Sequence, residues 1–143
     1  MATSEDQLDL SIVIVNYNTR DVTIEAVESV LENSGSLTVE IIVVDNASSD
    51  GSVEALRAAF PQVTVVDAGH NGGYAWGNNI GIRRAGGRYL LILNPDAQVY
   101  DGTLDQAVQY MDANPDIGIL GARVTLEGGS QQLTLFRHVS LKN

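Results

Sequence analysis

The carboxylates and amides of this chain stand where its apolar runs stop. Asn16-Tyr17-Asn18 follows the run Leu10–Val15 (LSIVIV). Asp45-Asn46-Ala47-Ser48-Ser49-Asp50 follows Ile41–Val44, itself preceded by Val39-Glu40. Asp67 and then Asn71-Gly72-Gly73-Tyr74 follow Val63–Val66, and Asn94-Pro95-Asp96 follows Tyr89–Leu93. Side chains of these types offer oxygen ligands to a hard divalent cation such as Mg²⁺ or Mn²⁺, which keeps open positions for substrate phosphates. They also offer N–H donors to hydroxyl and phosphate oxygens. Cationic side chains are almost absent from these segments, and the single Lys, Lys142, lies close to the last residue. A phosphate bound here therefore needs a metal ion to offset its charge. Each piece also has a plainer reading. Asn, Asp and Ser after a strand often cap the next helix, which suits Ser49 and Asp50. Asn94-Pro95-Asp96 has the composition of a turn. Asp45 is less easily dismissed, because a carboxylate directly after IIVV is costly unless something hydrogen-bonds it.

The elements that must position these groups follow from periodicity. The four runs above, and a fifth at Ile117–Leu120, are short and rich in Val, Ile and Leu, as in strands buried on both faces. They recur every ~25 residues, which leaves room for a crossover helix between successive strands. Ile24, Val27 and Leu31 form one helical stripe, and Val53, Leu56 and Phe60 a second. Leu104, Ala107, Val108 and Met111 form a third, with Thr103 and Gln106 at capping-box spacing. Gly73–Ala85 reads as a weaker helix whose small residues Ala75, Gly77 and Gly81 would let it lie close to another backbone. The alternation predicts an α/β fold, an open and mainly parallel sheet with helices on both faces. Beyond Arg123, Glu127-Gly128-Gly129-Ser130 separates two β-like runs, Ala122–Leu126 and Gln131–Phe136, and predicts a hairpin at the sheet edge. In such sheets ligands bind beyond the carboxyl ends of the strands, where the polar segments fall.

Composition closes off several function classes. The chain has 143 residues and no Cys, so it has neither disulfides nor thiolate chemistry. That length fits one domain, residues 1–143. A formal net charge of −10 argues against broad contact with nucleic acid or anionic lipid. No run is long enough for a transmembrane helix, and the acidic opening MATSEDQLDL is unlike a secretory signal. Neither Gly-x-Gly-x-x-Gly after the first strand nor a Gly-Lys-Ser/Thr loop is present, which disfavours dinucleotide oxidoreductases and P-loop enzymes. A receiver-type signalling domain would need a Lys after a late strand, and none occurs before Lys142.

Four segments together resemble a known family. Ser11–Asn18 (SIVIVNYN), Val43–Ser52 (VVDNASSDGS), Asn71–Gly81 (NGGYAWGNNIG) and Leu91–Asp96 (LILNPD) are similar, in order and spacing, to the inverting family-2 glycosyltransferases of the GT-A fold, in particular the rhamnosyltransferase-like branch. The tail to about Leu141 is also similar. The resemblance implies a Rossmann-like nucleotide-diphospho-sugar transferase. Asn16, Tyr17 and Asn18 would border the nucleoside pocket, Asp45 would hydrogen-bond the base, and Ser48 would lie nearby. Asn71, Gly73 and Asn78 would line the nucleoside–diphosphate channel. Asn94-Pro95-Asp96 stands where the family has Asp-x-Asp, so Asp96 would coordinate the divalent metal. Asn94 brings no charge and could offer its carbonyl to ribose or sugar.

The implied partners are a dTDP- or UDP-sugar and an acceptor glycan or lipid-linked saccharide. The implied setting is cell-surface polysaccharide synthesis in the cytoplasm or peripherally at the inner face of the membrane. The family's general base is a carboxylate from a second, acceptor-binding half. Here only Glu127 follows Asp116, within a Gly-rich turn, so the sequence reads as the donor-binding half. A non-catalytic nucleotide-sugar-binding or interaction module is the alternative. Tyr74 and Trp76 fit either ligand stacking or the core. His70 fits a solvated loop or a place near the diphosphate, and His138 the surface or a phosphate contact. Arg83, Arg84 and Arg88 most simply complement the C-terminal dipole of the preceding helix.

Overall fold

The computed structural model describes residues 7–126 and 129–132. Four parallel strands form one sheet in the order β3-β2-β1-β4: β1 Leu10–Asn16, β2 Val39–Asp45, β3 Thr64–Asp67 and β4 Tyr89–Leu93. The crossovers are helices α1 Arg20–Glu32, α2 Ser52–Ala59 and α3 Tyr74–Ile82, with α4 Thr103–Ala113 after β4. The expected α/β architecture is present. Register carries the strand ends to one edge, since Asn16 stands beside Asp45 and Asp45 beside Asp67.

Two apolar layers flank the sheet. On one face Ile12, Ile14, Ile41 and Val43 pack with Val27 and Val30 of α1, Leu56 of α2 and Leu104 of α4. On the other, Val13, Ile42 and Val44 pack with Ile80 of α3. The chain steps from β2 outward to β3, then α3 crosses the opposite face to set β4 on the far side of β1. The winding therefore reverses between β1 and β4, which opens a crevice between their carboxyl ends. Glycines permit the tight crossing. A Cβ at Gly77 would stand 2.8 Å from Val15 Cγ1, and one at Gly81 would overlap Val13. The small-residue reading of this helix is thus borne out.

Several expectations are corrected. Only β1 and most of β2 are buried on both faces. Among the described residues β3 and β4 are edge strands, each with one neighbour, and Leu90 and Ile92 of β4 remain 41% and 38% exposed. Ile117–Leu120 is not a strand. It has no partner strand among the described residues, Gly118 and Gly121 interrupt it, and Ile119 is 92% exposed. Thr103 is not a cap: it lies inside α4, Gly102 precedes it in left-handed geometry, and no side chain caps this end. The buried face of α1 centres on Thr23, Ala26, Val27 and Val30, with Ile24 and Leu31 at its margins. Helical side chains lean toward the N-terminus, so the covered stripe is displaced from the most apolar residues. The hairpin forms through Val124–Thr125 (β5) and Gln131–Gln132 (β6), but as a separate two-stranded sheet and not on the main sheet's edge. The rest of its expected turn and second run, Glu127-Gly128 and 133–136, lies outside the described residues, as does His138.

Candidate nucleotide-sugar site

Asn16 ends β1 fully buried, and its amide is used at both ends. Nδ2 donates to Asp45 Oδ2 at 2.6 Å and to Ser48 Oγ at 3.1 Å. Oδ1 accepts from the hydroxyls of Thr19 at 2.7 Å and Thr23 at 2.9 Å. Asp45, also fully buried, accepts the Ser48 backbone N–H on Oδ1 at 2.8 Å. The buried carboxylate thus has a partner on each oxygen. Ser48 Oγ also accepts the Asn18 N–H at 2.8 Å, and Asn18 Oδ1 accepts the Ser49 N–H at 2.8 Å. Together these bonds stitch the β1–α1 loop to the β2–α2 loop. The stitching holds Asn18 and Ala47 at φ +53° and +63°, a region few L-residues adopt.

Asp50 joins the same seam as an organiser of helix starts. Its Oδ2 accepts the backbone N–H of Arg20, the first residue of α1, at 2.9 Å. Its Oδ1 accepts the N–H of Ser52, the first residue of α2, at 3.1 Å. Partial burial pushes the Asp50 carboxyl up, but the hydrogen bonds from the Ser52 hydroxyl and from the Arg20 and Ser52 N–H groups outweigh it and hold the group below the ordinary carboxylate range. Asp50 is not the cap of α2, a position Gly51 occupies, but its carboxylate does bind the first N–H of both helices, while Ser49 binds Asn18.

Beside this seam, at the crevice between β1 and β4, lies a cleft of about 470 Å³. Val15, Tyr17, Thr19, Asn46, Asn71, Gly73, Tyr74, Asn94, Pro95 and Asp96 line it. Of the residues singled out in the sequence, Tyr17, Asn71, Gly73, Asn94 and Asp96 face the cleft. Asn16, Asn18, Asp45 and Ser48 brace its margin through the seam. Asn78 is buried on α3, and its Oδ1 has no hydrogen-bond partner among the described residues.

Sequence reasoning missed two polar lining residues, Asn46 and Thr19. Asn46 is 2% exposed, donates from Nδ2 to the Gly73 carbonyl at 3.2 Å, and its Oδ1 has no partner among the described residues. Its place directly after Asp45 was the available signal. Thr19 was missed, and Tyr74, left open between core and ligand, lines the cleft half-exposed. Trp76 instead lies over Gly72 and against His70, ring centroids 4.2 Å apart, and so braces the loop that carries Asn71 and Gly73.

The lining contains no Lys or Arg and one carboxylate, Asp96. Among the described residues no three His, Asp, Glu or Cys side chains gather as an all-protein metal cage. A cation bound through one carboxylate plus substrate phosphate oxygens does fit this donor set, because Mg²⁺ and Mn²⁺ commonly bind that way. The exposed Asp96 carboxylate makes none of the hydrogen bonds among the described residues and could serve as that ligand.

The sequence profile of Glycosyl transferase family 2 matches residues 11–141. The chain belongs to that family. This family-2 chain is 36% identical over 107 residues to the succinoglycan biosynthesis protein ExoO of Rhizobium meliloti, covering 73% of this chain and 30% of that protein. It is 37% identical over 115 residues to glycosyltransferase GlyG of Streptococcus pneumoniae, covering 76% of this chain and 38% of the relative. It therefore spans well under half the length of these relatives. Its fold matches the crystal structure of S. aureus TarS residues 1–349 with a TM-score of 0.69 at 22% identity, over 76% of this chain and 33% of that one. It also matches the mannosyltransferase PcManGT of Pyrobaculum calidifontis, solved with GDP-Man and Mn²⁺, with a TM-score of 0.61 at 24% identity, over 71% and 31% of the two chains. These likenesses identify the GT-A architecture of the family-2 chain.

Proposed function

We propose that residues 1–143 form the donor-binding half of an inverting glycosyltransferase of the rhamnosyltransferase-like branch. The observation that carries this reading is the cleft at the β1/β4 reversal, lined by amides, hydroxyls and Asp96 without any cationic side chain. Such a cleft suits a neutral sugar and a pyrophosphate whose charge is met by a cation. Tyr17, Thr19 and Asn46 flank the nucleoside, and Asn71 and Gly73 its passage toward the diphosphate. Asp96 would hold a divalent cation, Mg²⁺ or Mn²⁺, which would supply Lewis acidity toward the leaving diphosphate. Asn16, Asn18, Asp45 and Ser48 act one layer back by fixing the loops that carry Tyr17 and Asn46. TarS has been solved with UDP-GlcNAc and PcManGT with GDP-Man and Mn²⁺, which supports this ligand class. For this chain the donor is a dTDP- or UDP-sugar, and the branch points to a deoxyhexose such as rhamnose.

In the reaction an acceptor hydroxyl attacks the anomeric carbon, the nucleoside diphosphate leaves from the opposite face, and the configuration inverts. The acceptor proton requires a base. Asp96, committed to the cation, is the one carboxylate among the described lining residues, so the base comes from an acceptor-binding half. The acceptor is a surface glycan or lipid-linked saccharide reached from the cytoplasm; among the described residues no helix is long and apolar enough to cross a membrane.

Calorimetry of UDP and dTDP with Mn²⁺ or Mg²⁺ tests the reading. Saturable metal-dependent binding that Asp96→Ala abolishes is expected, and no binding of either nucleotide overturns it. The shortage of carboxylates in the cleft favours a second reading, a module that binds nucleotide sugar without turnover. An inverted glycoside formed by this chain from donor and candidate acceptors would exclude that second reading.

A further inference from the structure

Tyr74 opens α3, and Asn94 follows β4, so the two approach the cleft from different elements. They meet there, the Tyr74 hydroxyl donating to Asn94 Oδ1 at 2.8 Å. Burial does not force this contact, since Tyr74 is 48% exposed and Asn94 is exposed too. A primary amide has one acceptor end and one donor end. With Oδ1 engaged, Nδ2 is the end left for a ligand, and none of the hydrogen bonds among the described residues uses it. Because the lining carries no Lys or Arg, neutral N–H and O–H groups are what it can offer to sugar or phosphate oxygens.

We propose that Tyr74 is a positioning residue that fixes Asn94 as a hydrogen-bond donor to oxygens of the nucleotide sugar and withdraws the Asn94 carbonyl from cation binding. The proposal rests on the nucleotide-sugar reading above and reverses the role the sequence suggested for Asn94, a carbonyl offered to the sugar. It also explains why an amide suits position 94. A carboxylate there would accept from Tyr74 with one oxygen and turn the other, negative and without a proton, toward the diphosphate. Asp96 is then the one side chain of Asn94-Pro95-Asp96 that would be available to hold a cation.

Two measurements test this. In ¹⁵N-labelled free protein, Tyr74→Phe shifts the Asn94 side-chain amide resonances, which are identified by their loss in Asn94→Ala; unmoved resonances overturn the proposal. In calorimetry with UDP and Mn²⁺, Tyr74→Phe weakens binding about fivefold, the effect of one neutral hydrogen bond. In an Asn94→Ala background the same change has no further effect. An equal loss in both backgrounds would mean that Tyr74 acts directly on the ligand, and no loss in either would mean that the contact is idle; each overturns the proposal. If the unaltered chain binds neither UDP nor dTDP with Mn²⁺, the nucleotide-sugar reading fails and takes the ligand role of Asn94 with it, whereas binding with an unmoved amide signal overturns the positioning role alone.

Discussion

Asn16 makes four hydrogen bonds through one side chain, and that economy separates two kinds of polar residue at the cleft. Asn16 and Asp45 of the seam are buried and mutually satisfied, whereas Tyr17, Asn94 and Asp96 at the rim are exposed. Their substitutions should divide accordingly. Asp45→Ala strands buried donors of Asn16 and Ser48, each of which costs roughly 1–3 kcal/mol when unsatisfied. We expect a loss of about 2–4 kcal/mol in urea denaturation, with or without nucleotide. Asp96→Ala removes an exposed carboxylate with no hydrogen-bond partner among the described residues and should leave the urea midpoint unchanged while abolishing metal-dependent nucleotide binding. Ala47, exposed at φ +63°, should gain from glycine. Relief of left-handed strain exceeds glycine's added chain entropy, so Ala47→Gly should stabilise by about 0.5–1 kcal/mol, read from the same denaturation. At this scale the sequence revealed which segments carry the chemistry but not which side chains face inward. Asp45 and Asn46 are adjacent and both polar, and only the register of β2 and the proximity of Gly73 tell the brace from the lining residue.

Among the elements, α3 lies closest to the sheet. Gly81→Val would drive a branched side chain into Val13, and overpacking of this kind typically costs 1–3 kcal/mol. A lowered thermal midpoint, with cleft residues otherwise intact, is the expected result. α4 is tied to the opposite end of the sheet by charge. Arg88 pairs with Asp112 and, at 3.6 Å, with Asp9, while the Tyr89 hydroxyl donates to Asp112 at 2.7 Å. Arg88 thus serves an inter-element tie rather than the α3 dipole, whereas Arg84 does reach an α3 carbonyl, Ile80 O, at 3.1 Å. The Arg88 guanidinium, and then the Tyr89 hydroxyl, hold the Asp112 carboxyl below its ordinary range. Its folded pKa is therefore lower than its unfolded one. The stabilisation is present above the unfolded value and is lost as pH falls through the folded value. Stability should decline on acidification below about pH 4, and Asp112→Asn should flatten that decline in pH-dependent melting curves. Helices and strands with a strong period were legible from sequence alone. Thr103 was not, because cap and first-turn positions share a composition, and Ile117–Leu120 was not, because a strand needs a neighbour that local pattern cannot supply.

For the whole molecule, the order β3-β2-β1-β4 matters more than any single contact. One reversal of winding places the ends of β1 and β4 on either side of a cleft; alternating strands and helices made the parallel sheet and its polar carboxyl-end edge legible, but not the strand order or which two strands flank the cleft. The burial of β4 was not legible. YLLIL reads as an interior strand, yet among the described residues β4 is an edge, with Leu90 and Ile92 exposed on the α3 side. An uncharged apolar edge is prone to pairing between chains. Ile92→Lys should reduce concentration-dependent association in light scattering and leave nucleotide affinity unchanged, because Ile92 is not among the residues lining the cleft.

The seam also has a bearing on how such a protein can diversify. Folding draws on Asn16, Asp45 and Ser48, while under the proposed function recognition would fall to Tyr17, Tyr74, Asn94 and Asp96, and no residue belongs to both groups. A library randomised at the second group and screened only for soluble expression should keep nearly every variant, so new sugar preferences could be sampled there without eroding the scaffold.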